Sequence, residues 1–160
     1  MLNIKIICVG KLKERFYEAA VSEYTKRLSA FCRLEIEELN EVKLPQDPSE
    51  SEITAALSKE GENVKNKIPK GALIIAMCIE GKQADSVEFA QMIQSAAVSG
   101  ESKMCFIIGG SYGLAKEVKD MAKVKLSMSK MTFPHHLARV MLLEQIYRGF
   151  KIAEGGKYHK

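Results

Sequence analysis

The sequence predicts an α/β fold with a mostly parallel sheet and helices on both of its faces. Segments typical of strands and of helices alternate along the chain, which is the pattern of βα units. Residues 72–79, ALIIAMCI, are apolar without interruption, as expected for a strand that is covered on both faces. Residues 103–110, KMCFIIGG, indicate a further strand that ends in a glycine turn.

The first half of the chain alternates between strand and helix patterns. The predicted elements are a strand at 2–9, a helix at 14–31, an amphipathic strand near a sheet edge at 32–39, a loop at 40–50 and a polar helix that ends near residue 68. The near-helical spacing of four apolar residues supports the first helix: Phe16, Ala20, Tyr24 and Leu28. Ser49 or Ser51 is the expected N-cap of the second helix.

The second half continues the alternation. The predicted elements are strands at 72–79, 103–110 and 124–129, a turn at 80–82, and helices at 85–100, 114–123 and 131–155. Asp85 has the spacing to Glu88 of a capping box, and Gly100 is the expected helix stop. Pro134 is expected in the first turn of the last helix, where its missing N–H costs little.

Length and composition indicate one domain, residues 1–160, of a soluble and cytoplasmic protein. Apolar residues make up 46% and charged residues 28% of the chain, and no apolar run approaches the roughly 18 residues that a membrane span needs. The apolar N-terminus is too short for a signal peptide. The four cysteines form no C-x-x-C pair and have no histidine at metal spacing, so buried, reduced thiols are expected and no metal site.

Positive charge is concentrated near the end of the chain. The net charge is +4, but residues 1–100 carry 13 Lys and Arg against 15 Asp and Glu, whereas residues 101–160 carry 11 against 5. A basic C-terminal third points to an anionic partner such as nucleic acid. A solvated lysine-rich surface is an equally good interpretation of charge alone.

A glycine turn lies between a predicted strand and a short helix, in IIGGSYGLAKEV at 107–118. Such a turn at the carboxyl end of a parallel strand lets a ligand approach backbone amides. The spacing is G-G-x-x-G, which is neither the dinucleotide G-x-G-x-x-G nor a Walker A motif. A plain structural turn therefore remains an alternative to a ligand site.

The segment LSMSKMTFPHH, 126–136, leads from a strand into the last helix. Its Ser127, Ser129 and Thr132 can hydrogen-bond local backbone and hold an irregular loop that exposes donors and acceptors, for example to an adenine edge. A simple helix-capping turn is the alternative. His135 and His136 fall in the first helical turn, where the helix dipole disfavours a protonated imidazole.

The last helix has apolar side chains over more than one face, which is wider than a single core stripe. We therefore expect it to pack on its own sheet and on a second subunit. Arg139, Arg148 and Lys151 remain for the other side. Glu144 and Arg148 have the spacing of an i,i+4 ion pair.

The joined pattern FIIGGSYGL, LSMSKMTFPHHLARVMLLEQIYRGFKI and YHK closely resembles one family. It is similar to the small bacterial methyltransferases that methylate N3 of a pseudouridine in large-subunit (23S) ribosomal RNA, which belong to the SPOUT, or trefoil-knot, superfamily. The resemblance covers the whole chain, including KIICVGKLKERFYEAAVSEYTKRL near the start. It implies a C-terminal trefoil knot, a single SPOUT-type domain and a homodimer that acts on ribosomal RNA in the assembled ribosome.

The resemblance also implies the cofactor, S-adenosylmethionine, and its site. Matching positions place eight residues in the pocket: Met77, Gly109, Met128, Ser129, Lys130, Met131, Thr132 and Phe133. The proton on N3 has to leave, so a base is expected. Tyr158 and His159 in the tail EGGKYHK are the first candidates for contact with the target base, and His135 is the second. Four cations are the expected phosphate contacts: Arg139, Arg148, Lys157 and Lys160.

Other functions stay open at this point. A ribosome-associated RNA-binding protein without catalysis would share the basic C-terminal third. A Rossmann-type oxidoreductase is disfavoured by the glycine spacing and by the lack of a suitable ribose-binding acid. A related knotted enzyme that methylates a ribose 2′-OH is possible in principle.

Overall fold

A computed structural model describes residues 1–159 and contains a five-stranded sheet in which all paired strands are parallel, in the order β2-β1-β4-β3-β5. The strands are β1 (Leu2–Val9), β2 (Cys32–Leu39), β3 (Leu73–Gln83), β4 (Lys103–Ile108) and β5 (Val124–Ser127). The helices are α1 (Arg15–Leu28), α2 (Glu50–Lys65), α3 (Ser86–Val98), α4 (Lys116–Met121) and α5 (His135–Ala153). The predicted fold class is confirmed, and β2 is an edge strand as expected.

Alternate residues of the strands build a separate core on each face of the sheet. Ile4 and Ile6 of β1 face α1, α3 and α5, whereas Ile7 and Val9 face α2 and α4. This period-two division explains why the central strands are apolar without a break, since neither face meets water. The threading of a knot remains a prediction from family resemblance.

The apolar face of α1 includes the predicted Ala20, Tyr24 and Leu28 but not Phe16. Leu28 is fully buried and Tyr24 is half-buried, but Phe16 is 66% exposed. Tyr17 and Val21 are half-buried and also face inward, because they lie eleven and seven residues before Leu28, on the same face of the helix. The helix predicted from this spacing is therefore present, although Phe16 itself faces solvent.

The predicted turn at 80–82 is also wrong, because β3 continues through it to Gln83. The pairing with β5 changes register between Met77 and Lys82, so that both residues oppose Leu126. This bulge inserts extra residues into β3 and bends it. The last residues of β3, up to Gln83, therefore still pair with β5 before α3 begins.

Helix boundaries follow the capping signals in two of three cases. Ser49 caps α2 in a capping box with Glu52, and Asp85 caps α3 in a capping box with Glu88. The last helix begins at His135, not at residue 131, and Pro134 is its N-cap with extended backbone. The delay has a steric cause, because the residue before a proline is disfavoured in the helical region.

Two expectations about the faces of α5 change. Tyr147 and Phe150 pack on Phe31 of the same chain, with ring centroids 5.9 and 5.5 Å apart, so part of the wide apolar surface is covered within the monomer. Arg139 was expected to face solvent, but it is 1% exposed. A phosphate contact is incompatible with this buried position, and that prediction for Arg139 is wrong.

The Arg139 guanidinium ties α5 to the ends of β1 and β2. Its Nη1 donates to Glu38 Oε2 at 2.7 Å and its Nη2 donates to the Gly10 carbonyl at 3.1 Å. Glu38 Oε2 also accepts from the Leu12 N–H at 2.8 Å. A buried charge is tolerated only when it is paired in this way.

Cys8, Cys32 and Cys105 are buried free thiols, and Cys78 is half-buried and also free. Among residues 1–159, no helix combines the length and the apolar character that crossing a bilayer requires. The same residues contain no group of three or more His, Cys, Asp or Glu side chains arranged to hold a metal ion.

Replacement of Glu38 by Gln is expected to lower the free energy of unfolding by about 3 kcal/mol, because it leaves the Arg139 charge buried without a counter-ion. The chain has no Trp, so urea unfolding is followed by far-UV circular dichroism. The matched control is Glu35→Gln in the same strand. Glu35 pairs with Lys5, but its side chain is 65% exposed, and a change below about 1 kcal/mol is expected. Equal effects of the two substitutions would contradict the role assigned to the buried pair.

The same variant should lose a pH-dependent part of the stability. Burial opposes ionisation of Glu38, but the hydrogen bonds from Arg139 and Leu12 outweigh it and lower the pKa of Glu38 from its ordinary value of 4.5. The unfolded state thus binds the proton first as the pH falls, so the wild-type chain loses this stability below about pH 5. Between pH 7 and pH 4, unfolding free energies of wild type and Glu38→Gln should converge.

Candidate functional site

A cavity of about 760 Å³ opens at the carboxyl edge of the sheet, beside β3, β4 and β5. This volume lies within the range of about 300–1,000 Å³ that is usual for small-molecule sites. The lining comprises residues 77–80 after the core of β3, 108–114 around the glycine turn, 126–129 and 131–135 between β5 and α5, Lys119 and Ala138.

The glycine turn forms one wall with its backbone. A Cβ at Gly109 would overlap the carbonyl oxygen of Gly113, so no side chain fits there. Gly113 has a positive φ of 81°, and its N–H donates to the Gly110 carbonyl at 3.0 Å. These constraints explain the glycine spacing and leave a backbone surface that a flat ligand can approach closely.

The loop after β5 is held by two serines, as the sequence predicted. Ser127 Oγ donates to the Ser129 carbonyl at 2.9 Å, and Ser129 Oγ accepts from the Met131 N–H at 3.0 Å. Ser127 is buried, whereas Met131 is 73% exposed and lies at the rim. The side-chain bonds fix an irregular backbone that lines the cavity.

The end of β3 supplies mixed chemistry to the opposite wall. Met77 is half-buried and apolar, and burial raises the pKa of the neighbouring Cys78 thiol, which stays protonated. Glu80 forms an ion pair with Lys119 of α4, and the hydrogen bond from this lysine lowers the pKa of Glu80. The carboxylate and the ammonium therefore neutralise each other at this wall.

His135 is the titratable candidate within the cavity. It lies at the first position of α5 and is half-buried. Burial, and then the neighbouring His136, lower its pKa below 6.5. The imidazole is therefore neutral at pH 7 and able to accept a proton, in line with its place at a helix N-terminus.

The structure brings together all of the predicted cofactor residues except one. Met77, Gly109 and five residues of the segment 128–133 line the cavity, whereas Lys130 does not. The sequence prediction missed residues 78–80 and Ser111, Tyr112 and Lys119. The first five adjoin predicted positions at a strand end or in the turn and could have been found by extension. No feature of the sequence indicated that Lys119 lies at the cavity.

Tyr158 and His159 do not line this cavity, because the tail packs on α5 of its own chain. The Tyr158 hydroxyl donates to Glu144 Oε1 at 3.1 Å, and its ring contacts Tyr147 edge-on with centroids 5.0 Å apart. Arg148 lies 4.7 Å above the Tyr158 ring and 3.5 Å from His159 Nδ1. The predicted pair of Glu144 with Arg148 is present at 2.7 Å.

The two glycines before this tail end the helix. Gly155 has a positive φ of 68°, its N–H donates to the Ile152 carbonyl, and the Gly156 N–H donates to the Lys151 carbonyl. This is the Schellman arrangement, in which a left-handed residue satisfies the last free carbonyls. It turns the chain so that Tyr158 returns along α5.

The other predicted RNA contacts have different surroundings. Arg148 is 25% exposed and engaged by Glu144, and Lys157 is exposed. Lys160 lies outside the described residues.

Glu144 also lines a smaller cavity of about 450 Å³. This cavity and the larger one share a wall, which is formed by Met77 and residues 126–128. The tail cluster is therefore a neighbour of the cavity through Glu144.

Residues 2–159 match the sequence family described as predicted SPOUT methyltransferase. Proteins called ribosomal RNA large subunit methyltransferase H are 49% identical in Clostridium novyi (strain NT) and 51% identical in Clostridium beijerinckii, each over 159 residues, 99% of this chain and 100% of the relative. The protein of that name from Bacillus pumilus is 48% identical over the same shares.

A solved structure supports the fold. It is that of a probable methylase family protein from Haemophilus influenzae Rd KW20, with a TM-score of 0.55, 14% identity, and coverage of 99% of this chain and 71% of that chain. The family predicted from the sequence motifs is thus confirmed. The chain belongs to the SPOUT methyltransferase family and, within it, to the group of ribosomal RNA large subunit methyltransferase H.

Proposed function

We propose that this protein transfers a methyl group from S-adenosylmethionine to N3 of a pseudouridine in 23S ribosomal RNA, on the assembled ribosome in the cytoplasm. One observation carries the proposal. The cavity at the carboxyl edge of the sheet is lined by seven of the eight residues that the motif identifies, in a chain about half identical to ribosomal RNA methyltransferases over its full length. The basic C-terminal third agrees with an RNA substrate.

The cavity fits the proposed cofactor in shape and chemistry. Met77, Leu126 and Met128 offer an apolar wall for an adenine ring, and the turn 109–113 offers backbone donors and acceptors to its edge. The only carboxylate in the lining, Glu80, is neutralised by Lys119. Among the described residues, the lining therefore offers no unpaired carboxylate as a counter-ion for the sulfonium.

When bound, S-adenosylmethionine supplies an electrophilic methyl group, so the protein mainly has to align the target nitrogen and receive its proton. Alignment alone can contribute about 7–11 kcal/mol in favourable cases. The Ser127 and Ser129 hydrogen bonds hold the loop that would align the donor.

Two groups of residues compete as proton acceptor. His135 is neutral and lines the cavity. His159 and Tyr158 lie in the tail, where Glu144 accepts the Tyr158 hydroxyl hydrogen. We favour the tail for contact with the base, since an aromatic ring and an imidazole suit an RNA base. His159 is the preferred acceptor and His135 the second.

A homodimer follows from this preference. Tyr158 and His159 do not line the cavity of their own chain, so a second copy has to supply them if they act on the target base. The half-buried Leu137, Val140 and Met141 of α5 are the apolar surface available for that contact. Lys157 and Lys160 would accompany the tail as phosphate contacts, with Arg148 beside them.

The first test combines cofactor binding with analysis of the RNA. Calorimetry should give micromolar binding of S-adenosylmethionine. Met128→Trp should abolish this binding by filling the cavity, whereas Met121→Trp on α4, outside the cavity lining, should not.

Mass analysis should show that 23S RNA from a deletion strain lacks one methylpseudouridine, and that the gene restores it. Absence of cofactor binding by wild type would favour a non-catalytic RNA-binding protein, and a lost ribose methyl group would assign another reaction.

Removal of residues 158–160 tests the tail. Methyl transfer should fall by about 100-fold or more, because a general base and a base-contacting ring are lost together. The cofactor affinity and the dimer mass should stay near wild type. Removal of Lys160 alone is the comparison: it takes away one proposed phosphate contact but neither the ring nor the imidazole, so its effect should be far smaller than that of the full truncation. Persistent turnover would exclude the tail from catalysis and leave His135 as the acceptor, whereas loss of cofactor binding would make the tail structural.

The Glu144 contact predicts a measurable titration. Burial, together with the hydrogen bond to Glu144, raises the pKa of Tyr158 above 10. The Glu144→Gln variant should therefore shift the pKa of Tyr158 downward, as followed by NMR of ring-labelled tyrosine. Glu154→Gln is the control, because Glu154 pairs with Lys151 and not with the ring. An unchanged Tyr158 pKa in Glu144→Gln would place the tail away from α5 in solution.

A further inference from the structure

A second, open groove of about 1210 Å³ lies beside the cavity at the same edge of the sheet. Its walls are the turn after β1, the loop after β2, one side of α2 and the start of α5. The lining includes Gly10, Lys11, Lys13, Glu14, 40–45, Ile53, 56–57, Glu60, Ser111, Tyr112, His135 and His136. The groove is larger than the usual site for one small molecule and suits an extended polymer.

Three lysines on the groove are free to bind an anion. Lys11, Lys13 and Lys43 are all exposed. Within the described part of the chain, none of the three forms an ion pair. They come from two different loops and stand on the same groove. Such a set of unpaired ammonium groups is the electrostatic footprint of a phosphate backbone.

The groove also carries three carboxylates, so its lining is mixed in charge, but two of them are held by backbone N–H groups and are less exposed than the lysines. Glu41 Oε1 accepts from the Ser111 N–H at 2.8 Å, and Glu60 Oε2 accepts from the Val42 N–H at 2.8 Å. Glu60 is 7% exposed, and burial raises its pKa. Glu14 Oε2 lies 3.7 Å from His136 Nδ1.

The groove also has apolar surface for sugars and bases. Leu44 and Pro45 of the loop, with Ile53 and Leu57 of α2, lie among its lining residues. A surface with both cationic and apolar side chains suits single-stranded nucleic acid, because the phosphates and the faces of the bases are bound together.

The groove and the cofactor cavity share one wall, made by Ser111, Tyr112 and His135. The Tyr112 side chain is 50% exposed and lies within the constrained glycine turn. The Glu41 carboxylate accepts the Ser111 N–H, so this hydrogen bond joins the loop after β2 to the glycine turn that lines the cavity. A polymer in the groove would pass directly beside the methyl donor.

We propose that this groove binds the single-stranded RNA next to the target nucleotide, with its phosphates on Lys11, Lys13 and Lys43. Tyr112 stacks on a base at the shared wall and so positions the neighbouring pseudouridine over the cavity. The inference rests on the proposed function and names the part of the protein that recognises its substrate.

The test uses methyl transfer to purified ribosomes from the deletion strain, with S-adenosylmethionine in excess. A variant with Lys11, Lys13 and Lys43 changed to Gln should raise the KM for ribosomes about tenfold or more, and its log–log salt dependence should be shallower by about 2. The control changes Lys26, Lys70 and Lys103 to Gln. These lysines are exposed and lie near the opposite, amino edge of the sheet. Both variants lose three positive charges, so they differ only in where the charge is removed.

The Tyr112 role has its own readout. Tyr112→Ala should lower kcat/KM for ribosomes about tenfold or more, and Tyr112→Phe should retain it, because a base stacks on either ring. Because Tyr112 also lines the cofactor cavity, the calorimetric affinity for S-adenosylmethionine is measured in both variants, and it should fall much less than kcat/KM does. Equal loss in the Phe and Ala variants, or loss of cofactor affinity in the Ala variant, would overturn the stacking role.

Cross-linking distinguishes RNA from protein in the groove. Lys43→p-benzoylphenylalanine, irradiated on ribosomes, should attach to ribosomal RNA. Attachment to a ribosomal protein only, or a lysine variant that matches its control, would overturn the proposal. Wild-type protein that transfers no methyl group would instead refute the proposed function, and the cross-link would still decide what the groove binds.

Discussion

The ion pair between Arg139 and Glu38 is the interaction on which the functional edge of this fold depends. It joins residues 101 positions apart and also holds the Gly10 carbonyl, so one guanidinium fixes the start of α5 against the ends of β1 and β2. Burial of a charge is costly, and each contact here offsets part of that cost. His135 and the groove beside it take their positions from this anchor, because they lie within one helical turn of it or on the loops that it holds.

The parallel sheet then places all of the chemistry on one side. Every strand ends at the same edge, so the glycine turn after β4, the serine-held loop after β5 and the bulge of β3 meet without any long insertion. The cofactor cavity and the groove beside it are a consequence of the same geometry and share a wall at this edge. Backbone atoms form much of the wall at Gly109, which makes the shape of the site insensitive to side-chain rotation.

Local signals in the sequence predicted most of the fold and most of the cofactor site. Apolar patterns and turn signals indicated all ten elements, a capping-box spacing indicated the start of α3, Ser49 was one of two expected caps of α2, and the serine-rich loop was assigned its hydrogen bonds. The failures are non-local. Burial of Arg139 depends on Glu38, which no nearby residue reveals, and the extension of β3 through 80–82 depends on pairing with β5. Phe16 and Tyr17 are adjacent aromatic residues, so periodicity alone could not choose the inward one.

The strand order has a consequence for how the protein is made. β1 lies between β2 and β4, but β4 begins 64 positions after β2 ends, at Lys103 and Leu39. At about 5–20 residues per second, a growing chain holds β1 with one open edge for roughly 3–13 s. Residues 126–138 and the Arg139 anchor are synthesised later still. The cofactor cavity therefore cannot be complete until the chain has been synthesised as far as Ala138, at the start of α5.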